Sequence, residues 1–363
     1  MKLLARTVSV VCVLTAVAGC ASSAPPVGPG AVRWRWRPPS PASVGMPAGD
    51  QSNVTATYGH LRLVLFSPAG SVQWQAERLG LREEAPLLLP DVVVAPADDG
   101  LVAVDRVSGH IRWDTRFGAE SATPVRVGGL VVTCTAEGSL LGLDLTTGRV
   151  VWRVALGGRA EGPPATDGVS VVATWEPDDG VVAGITAVDG ETGRVRWVSS
   201  LRAGGVSGPA VVSPAPDGAV AVAVDDDLQA KAFDLATGRR RWAVRVDGAG
   251  SPEVPPVTLA GGRVLVADRL AGLTLIDGGG RPTWRARVDG AAVRGGPVAA
   301  GRAGPFALPL WSGRWLLSGP GRHQRTFQPP GGIVSGVAVG PGGAFVVASA
   351  QGDDNQLVAY GPL

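Results

Sequence analysis

Residues 140–152 read LLGLDLTTGRVVW: an apolar run, an Asp, a Thr-Gly-Arg turn and a Trp eight residues after the Asp. Closely similar strings recur as LVAVDRVSGHIRW at 101–113, ITAVDGETGRVRW at 185–197 and AKAFDLATGRRRW at 230–242. The repetition indicates that one structural unit is used several times along this chain of 363 residues.

The period of the repeat indicates the kind of unit. The copies end at Trp74, Trp113, Trp152, Trp197, Trp242, Trp284 and Phe327, with separations of 39, 39, 45, 45, 42 and 43 residues. No segment keeps apolar residues at the i, i+3, i+4 and i+7 positions of a helix, and short apolar runs alternate with Gly-rich turns. This pattern is typical of the four-stranded sheets of a β-propeller.

One copy can be divided into four strands. The runs PVRV (124–127), LVVTCTA (130–136), LLGLDL (140–145) and RVVWRVAL (149–156) are rich in β-branched residues and are separated by turn formers. They predict an antiparallel meander. Because both faces of such a sheet are apolar, each sheet needs a neighbour about 10 Å away on either side.

The two ends of the chain predict how the ring closes. After Phe327, 36 residues remain, enough for three strands but without the fourth, Trp-bearing one. At the other end, AVRWRWR (31–37) places Trp36 38 residues before Trp74. We therefore predict an all-β, eight-bladed β-propeller of four-stranded antiparallel blades, closed by the N-terminal strand joining the C-terminal strands of 333–361. The seventh copy, SGPGRHQRTF, lacks the Asp and the Trp and should be the loosest blade.

The segment before residue 31 is expected to lie outside this fold. Lys2 and Arg6 precede an apolar run at 8–17 that is too short for a membrane span of about 20 residues. The following Val17-Ala18-Gly19-Cys20 resembles the lipobox of bacterial lipoproteins. A retained N-terminal anchor or a chance Cys is the alternative interpretation.

The lipobox resemblance implies three segments. Residues 1–19 would be a signal peptide, Cys20 would carry the lipid, with palmitate among its acyl chains, and 20–30 would be a flexible Ser/Pro/Gly linker. The propeller would then occupy 31–363. Cys134 would be the one cysteine of the folded part, buried in a strand and unable to form a disulfide there.

Charge excludes one class of partner. The chain has 33 Lys and Arg against 31 Asp and Glu, and removal of the signal peptide would leave 31 of each. A nucleic-acid-binding protein normally carries a basic excess, so we expect no nucleic acid partner.

The motif A-x-D-x-x-T-G-x-x-x-W closely resembles the tryptophan-docking repeat of the pyrroloquinoline-quinone-like (PQQ-like) propellers. Over 185–197 every position of the motif is matched. The family contains quinoprotein dehydrogenases and a non-catalytic lipoprotein group that scaffolds outer-membrane assembly. The resemblance implies structural docking roles for Trp36, Trp74, Trp113, Trp152, Trp197, Trp242, Trp284, Asp105, Asp144, Asp189, Asp234 and Asp277.

Elementary chemistry suggests a role for each motif position. The Gly suits a turn with positive φ, and the Asp can accept N–H bonds from that turn. The indole can bury a large area between blades while its N–H donates to a backbone carbonyl. Gly142 and Leu275 depart from the motif, because they stand where other copies have Ala103, Ala187 and Ala232.

Catalytic motifs are absent from the sequence. The three histidines, His60, His110 and His323, lie in or beside predicted turns, and there is no HExxH, G-x-S-x-G or G-x-G-x-x-G. A quinone-dependent dehydrogenase would, by the resemblance, hold calcium with carboxylate and amide ligands, yet Asn53 and Asn355 are the only asparagines. We therefore expect no catalytic, cofactor-binding or metal site, and no enzymatic activity.

These observations favour a binding or scaffolding function. We expect a monomeric cell-envelope lipoprotein, anchored by lipid to the extracytoplasmic face of the cell membrane, that holds a protein or envelope partner on a propeller rim. The alternative is a small-molecule sensor or quinone-dependent oxidoreductase that uses the mouth of the central channel. Connections such as GRAEGPPAT and GAGSPEVPP would surround that mouth, either as stiff connectors or with room for a ligand.

The turns show a charge pattern. Those between second and third strands are acidic, whereas those between third and fourth strands carry arginines such as Arg149, Arg194 and Arg239. Because successive hairpin turns lie at opposite ends of a strand, we expect one acidic and one basic rim. The charges either keep the turns soluble, or they face anionic lipid on the basic side and a basic partner or divalent cations on the acidic side.

Overall fold

The computed structural model describes residues 31–180, 182–201, 208, 210–246, 255–259, 261–267, 272–287, 298–299, 306–309, 315–318, 325–327, 333–350 and 355–361. Within these residues the chain is all-β, apart from one 3₁₀ turn at Pro341–Gly343. No helix among them is long and apolar enough to cross a membrane. The signal peptide, Cys20 and the linker predicted for 1–30 lie outside the described residues.

The described strands form eight antiparallel sheets. In chain order they are β1 (Val32–Trp36); sheet 1, β2 (Ala48–Gly49), β3 (Val54–Tyr58), β4 (Arg62–Phe66), β5 (Val72–Glu77); sheet 2, β6 (Leu87–Leu88), β7 (Val92–Ala97), β8 (Gly100–Asp105), β9 (Ile111–Arg116); sheet 3, β10 (Val125–Val127), β11 (Leu130–Cys134), β12 (Ser139–Asp144), β13 (Val150–Ala155); and sheet 4, β14 (Arg159–Ala160), β15 (Ala165–Thr166), β16 (Ser170–Glu176), β17 (Gly184–Asp189), β18 (Val195–Ser200).

The second half of the chain continues the pattern. Its strands are sheet 5, β19 (Val211–Ser213), β20 (Val220–Val224), β21 (Gln229–Asp234), β22 (Arg240–Arg245); sheet 6, β23 (Val257–Leu259), β24 (Arg263–Ala267), β25 (Gly272–Ile276), β26 (Pro282–Arg287); sheet 7, β27 (Val298–Ala299), β28 (Phe306–Pro309), β29 (Trp315–Ser318), β30 (Arg325–Phe327); and sheet 8, β31 (Ile333–Val339), β32 (Phe345–Ala350), β33 (Gln356–Tyr360). The predicted four-strand division of 124–156 is confirmed by sheet 3.

Sheet 8 joins the two ends of the described chain. Its strand order is β1-β33-β32-β31, so the first strand supplies the outer edge of a sheet otherwise built from the last three. Val32 lies opposite Tyr360 and Trp36 opposite Leu357. The Gly361 N–H donates to the Ala31 carbonyl at 2.9 Å. The predicted strand pairing between the chain ends is therefore present.

The core lies between consecutive sheets. Val172 and Ile185 of sheet 4, for example, are fully buried in one cluster with Ala221 and Phe233 of sheet 5. A similar cluster joins sheet 8 to sheet 1. The first strands of neighbouring sheets also lie side by side, in the pairs β2–β6, β10–β15, β15–β19, β19–β23, β23–β27, β27–β31 and β31–β2. Sheets 4 and 5 thus cover an apolar face of each other, and so do sheets 8 and 1.

In each of sheets 1 to 5, an indole packs on a turn glycine of the next sheet. Gly148 has a φ of 72°, and a Cβ on it would lie 2.7 Å from Cδ2 of Trp113. The same contact joins Gly109 to Trp74, Gly193 to Trp152, Gly238 to Trp197 and Gly280 to Trp242, and all four glycines have positive φ. The motif therefore needs glycine twice over, for the left-handed backbone and for the close approach of the ring.

Four of these indoles donate a hydrogen bond across the interface. The acceptor is the carbonyl that follows the turn Asp of the next sheet: Trp74 to Arg106 at 2.8 Å, Trp113 to Leu145 at 2.9 Å, Trp197 to Leu235 at 2.9 Å and Trp242 to Gly278 at 3.2 Å. The bond explains why the ring orientation is repeated from sheet to sheet. It joins a buried polar atom to a carbonyl that would otherwise end its own strand unpaired.

Trp152 is an exception, and the expected hydrogen bond is wrong for this residue. Its Nε1 is buried without a partner. Gly142, which lies opposite it on β12, explains the difference, because a Cβ there would stand 2.2 Å from Trp152 Cε2. The indole occupies space that a methyl group fills where Ala187 or Ala232 lies opposite its own Trp.

At the junction of the chain ends, Trp34 takes the docking position, and the assignment of Trp36 to it is wrong. Trp34 lies opposite Ala359, as Trp113 lies opposite Ala103. A Cβ on Gly70 would stand 2.4 Å from Trp34 Cγ. Trp36 points to the same face two residues further along, edge-on to Tyr58 and Phe66 at ring distances of 5.3 and 5.1 Å. Both spacings to Trp74 fit a period that varies by several residues, so the repeat length alone could not choose between them.

The remaining docking positions are only partly described. Trp284 lies opposite Leu275, in the docking register, but the turn of sheet 7 that would face it lies outside the described residues. Phe327 lies opposite Trp315 in a sheet of four strands. The expectation that this seventh sheet is the loosest concerns side chains outside the described residues.

The turn aspartates hold their own hairpins. Asp144 Oδ1 accepts from the Thr147 N–H at 2.7 Å and from the Thr146 N–H at 3.1 Å. The same pattern recurs at Asp105, Asp189, Asp234 and Asp277. Hydrogen bonds from Arg196 and then from Thr192 lower the pKa of Asp189 to about 2. Asp189 therefore remains ionised at any physiological pH.

The place of Gly142 gives a first prediction. Gly142→Ala should lower the free energy of unfolding by about 1–3 kcal/mol, because the added methyl group meets the Trp152 ring. In the Trp152→Ala background, itself expected to cost about 3–5 kcal/mol, the same change should be neutral or stabilising, since Ala is favoured over Gly in a strand. Urea unfolding of the four variants measures the coupling. An equal effect in both backgrounds would contradict the steric explanation.

The missing indole hydrogen bond gives a second prediction. Trp113→Phe loses a bond to the Leu145 carbonyl, whereas Trp152→Phe loses none, so the first should cost about 1 kcal/mol more. The two substitutions remove the same atoms from equivalent positions and serve as each other's control. Chemical denaturation curves measure the difference, and equal costs would show that the indole N–H contributes nothing to the interface.

Candidate functional site

The sheets present two different rims. We call the end that holds the Asp-bearing turns between third and fourth strands the Asp-turn rim. The opposite end, with the turns between second and third strands and the connections between sheets, is the connector rim. Because hairpin turns alternate along a meander, every described sheet contributes the same kind of turn to the same rim.

The connector rim of sheets 1 to 5 is rich in carboxylates. They are Glu83, Glu84, Asp98, Asp99, Glu120, Glu137, Glu161, Glu176, Asp178, Asp179, Asp225, Asp226 and Asp227, and the described arginines of the same turns and connections are Arg78, Arg82 and Arg159. The acidic rim expected from the sequence is present in the described residues.

Part of this charge is neutralised locally. Arg78, whose side chain is 6% exposed, pairs with Asp99 at 2.5 Å and Asp114 at 3.0 Å. Arg82 pairs with Glu84 at 2.7 Å and with Glu120 at 2.5 Å. Both arginines lie in the connection between sheets 1 and 2 and hold it to sheet 2 and the next connection. This sector of the rim is therefore an internal ion-pair network.

Further carboxylates lie close together near sheets 4 and 5. We call Glu161, Glu176, Asp178, Asp179, Asp226 and Asp227 the acidic patch. Burial raises the pKa of Glu161, and the charges of Glu176 and Asp226 raise it further, outweighing the opposite effect of Arg159. The three carboxylates come from the sheet 3–4 connection, the end of β16 and the β20–β21 turn. A surface of this kind attracts cationic side chains.

Asp225 does not belong to this patch, because it forms a buried ion pair with Lys231. Their side chains are 3% and 4% exposed. The other carboxylate oxygen of Asp225 accepts the Gln229 N–H at 2.9 Å. Lys231 lies on β21 beside Ala223 on the face packed against sheet 4. The one indication of this pairing in the sequence is a Lys inside an apolar strand.

The Asp-turn rim is less basic than the sequence suggested. Arg112 pairs with Asp105 and Asp91, Arg196 pairs with Asp189, and Arg241 pairs with Asp234. The pairs with Asp105, Asp189 and Asp234 form within single hairpins, because the Arg stands seven residues after the turn Asp, across from it. Part of the positive charge expected on this rim is therefore paired, although other arginines of the rim have no such ion pair among the described residues.

A cavity of about 380 Å³ opens among the first strands of sheets 3 to 6. Its walls are apolar and include Pro163, Pro164, Ala165, Ala210, Val211, Pro255, Pro256 and Val257. The proline-bearing connections predicted to surround the channel mouth form this wall. The described part of the chain therefore leaves room for a small apolar group at that place.

Cys134 borders a second cavity of about 230 Å³ with Arg82 and Arg159 among its other walls. The thiol is buried, and burial raises its pKa to about 12. Deprotonation of this thiol is strongly disfavoured near neutral pH. Cys134 is a buried strand residue, as expected.

Two of the three histidines lie in hairpin turns. His60 lies in the β3–β4 turn with Nδ1 3.1 Å from the Leu81 carbonyl, and His110 lies in the β8–β9 turn. His323 lies outside the described residues. Within the residues that the structure describes, no three His, Cys, Asp or Glu side chains are grouped as metal ligands would be.

Repeated four-stranded sheets joined by docked indoles define a PQQ-like β-propeller chain. A family model described as outer membrane protein assembly factor BamB matches residues 98–253 and 229–303, which together span more than half of the chain. The chain belongs to this PQQ-like family. A search of curated protein sequences finds no match.

Solved structures show the same fold at low identity. BamB from Moraxella catarrhalis is 18% identical, with a TM-score of 0.69 over 92% of this chain and 99% of that one. The computationally designed Ika8 protein is 14% identical, with a TM-score of 0.72 over 89% and 98%. The quinohemoprotein alcohol dehydrogenase from Comamonas testosteroni is 12% identical, with a TM-score of 0.71 over 92% and 77%. At these identities the likeness establishes the fold alone.

The raised pKa of Glu161 gives a third prediction. A carboxyl group whose pKa is higher in the folded state destabilises that state when ionised, fully above the folded pKa and not at all below the unfolded value of about 4.3. Glu161→Gln should therefore raise the thermal unfolding midpoint at pH 7, and the gain should shrink as the pH falls toward 4. Glu137→Gln, an exposed change on the same rim, is the control. A gain independent of pH would contradict the electrostatic cause.

The burial of Cys134 gives a fourth prediction. In the native protein at pH 8 its thiol should not react with a maleimide or an aromatic disulfide reagent, because it is neither accessible nor ionised. In urea it should react at the rate of an ordinary cysteine. Mass spectrometry of the tryptic peptides identifies the labelled residue. Labelling of native Cys134 within minutes would show that sheets 3 and 4 separate readily.

Proposed function

We propose that the eight sheets close into one eight-bladed propeller spanning residues 31–363. Three observations support this proposal. They are the pairing of β1 with β33, the buried cluster that joins sheet 8 to sheet 1, and the contacts between first strands, which run from sheet 3 through sheets 4 to 8 and then from sheet 8 through sheet 1 to sheet 2. Sheets 2 and 3 share a buried cluster through Val94, Trp113 and Val131. The ring then has no exposed edge at the junction of its ends.

We further propose that this propeller is a non-catalytic scaffold, held at the cell envelope by a lipid on Cys20, that binds a protein through its connector rim. The acidic patch carries the proposal, because carboxylates from a connection, the end of β16 and the β20–β21 turn lie so close together that the charges of Glu176 and Asp226 raise the pKa of Glu161. Such a surface fits a partner segment rich in Arg or Lys. Membership of a family described by BamB supports the choice of a protein partner.

Charge removal on one rim tests this function. The variant Asp178→Asn, Asp226→Asn, Asp227→Asn removes three charges from the acidic patch. The control Asp91→Asn, Glu191→Gln, Asp217→Asn removes three exposed charges from the Asp-turn rim. After mild cross-linking of the membrane-bound protein, the first variant should lose its captured partner about tenfold or more, whereas the control should keep it. Equal capture by both variants would exclude the connector rim as the binding surface.

The cavity at the channel mouth supports a second candidate, a small-molecule sensor or quinone-dependent oxidoreductase. Its apolar wall could pack against a flat ring system. Reconstitution with calcium and the quinone, followed by absorbance titration and a dye-reduction assay, separates the two functions. Saturable quinone binding with dye reduction would favour the oxidoreductase. If micromolar protein caused no spectral change, the scaffold function would be favoured.

A further inference from the structure

Four arginines occupy equivalent positions on the Asp-turn rim. They directly follow the positive-φ glycine of the turn in sheets 3 to 6, and we call them the Arg arc: Arg149, Arg194, Arg239 and Arg281. All four are exposed. Within the described part of the chain their guanidinium groups form no ion pair or hydrogen bond, in contrast to Arg112, Arg196 and Arg241 on the same rim.

The backbone fixes where these side chains start. The N–H groups of Arg149, Arg194 and Arg239 approach the Thr hydroxyl of their own turn at 3.3–3.4 Å, and the Arg281 N–H donates to Asp277. The neighbouring carboxylates are directed back into the hairpins, where they accept turn N–H groups. The carboxylates therefore reduce the positive charge of the arc but are held against their own turns.

The chain enters the fold at the same rim. Every third strand ends at the Asp-turn rim, and β33 is the third strand of sheet 8. Val32 lies opposite Tyr360, the last residue of β33, and Ala31 accepts a hydrogen bond from Gly361. Thirty residues precede this point, including the apolar run at 8–17 and Cys20. From Cys20 to residue 31 an extended chain reaches at most about 35–40 Å.

We propose that the Asp-turn rim faces a membrane and that the Arg arc binds anionic phospholipid headgroups there. An N-terminal anchor would hold sheet 8 near the bilayer, and in the closed ring proposed above, on which this inference rests, sheet 4 lies directly across from sheet 8. The arc spans sheets 3 to 6 and so supplies a second contact on the far side of the disc. The acidic patch on the opposite rim is repelled by the same anionic surface, which favours the same orientation.

The surface attraction has a short range. At physiological salt it falls off within about 8 Å, so only groups that project beyond the turns contribute. The arc arginines are long, exposed side chains at the tips of the hairpins and meet this condition. The arginines that pair with the turn aspartates are only 23–32% exposed and are held against the hairpins, so they do not. The connector rim then points away from the bilayer, where a protein partner can reach it.

Two exposed positions allow the orientation to be measured. Val107, 87% exposed, lies on the Asp-turn rim, and Leu79, 81% exposed, lies on the connector rim. Both belong to the sector of sheets 1 and 2, so dyes on V107C and L79C differ mainly in height, by roughly the 20 Å length of a six-residue strand. The buried thiol of Cys134 should stay unlabelled.

The test uses the full chain, processed by its expression host and reconstituted in vesicles of 30% phosphatidylglycerol and 70% phosphatidylcholine with an energy-transfer acceptor on the headgroups. We expect the V107C dye to be quenched at least about twofold more than the L79C dye. The difference should vanish in pure phosphatidylcholine and in about 0.5 M salt, where screening is nearly complete. Equal quenching at low salt, or a difference that survives high salt, would overturn the proposal.

Charge removal distinguishes the contribution of the Arg arc from that of the N-terminal anchor. Arg149→Gln, Arg194→Gln, Arg239→Gln and Arg281→Gln together should abolish the difference between the dyes. The control Arg153→Gln, Arg159→Gln, Arg245→Gln and Arg287→Gln removes the same charge from exposed arginines away from the rim and should preserve it. If the arc variant kept the difference between the two dyes, the N-terminal anchor alone would orient the propeller. Intact mass spectrometry of the same samples reports acylation at Cys20 independently, and the salt series on the unmodified chain needs no variant to fold.

Discussion

The fold depends on the contact between an indole of one sheet and a turn glycine of the next. A flat four-stranded sheet can slide on its neighbour, because apolar packing has no direction of its own. The indole removes this freedom: its ring rests on a left-handed glycine and, in four described cases, its N–H reaches the carbonyl after the turn Asp. The Asp holds that turn in shape. The Trp, the Gly and the Asp of the motif thus act together in one contact between sheets, which recurs along the chain.

The sequence was sufficient for the strands, their order within a sheet and the joining of the chain ends, because each depends on local pattern and period. It was insufficient where a choice depended on contacts between sheets. Trp34 and Trp36 share a face and a spacing, and only the register against Ala359 selects Trp34. Gly142 looked like a departure from the motif, yet the indole of Trp152 requires it.

The candidate surfaces, too, could be predicted from the sequence only in part. The acidic connector rim follows from turn sequences, since hairpin turns alternate between ends. Its electrostatics do not, because Arg78 and Arg82 neutralise one sector while Glu161, Glu176 and Asp226 converge in another. On the opposite rim, pairing across a hairpin decides which arginines are free. Arg196 and Arg241 reach the turn Asp, whereas Arg194 and Arg239, two residues earlier, do not. The sequence contains all these residues but not their partners.

The sharing of sheet 8 between the chain ends also imposes an order in time. As the chain emerges from the ribosome or an export channel, β1 is among the first strands to appear and β33 is the last. Until then β1 has no strand to pair with, and each later sheet can form only against its immediate predecessor. The β1–β33 pairing spans more than three hundred residues, so its entropic penalty falls on the final step. Premature release of a shortened chain would leave an open arc with an uncovered apolar sheet at each end, the kind of species that chaperones and proteases remove.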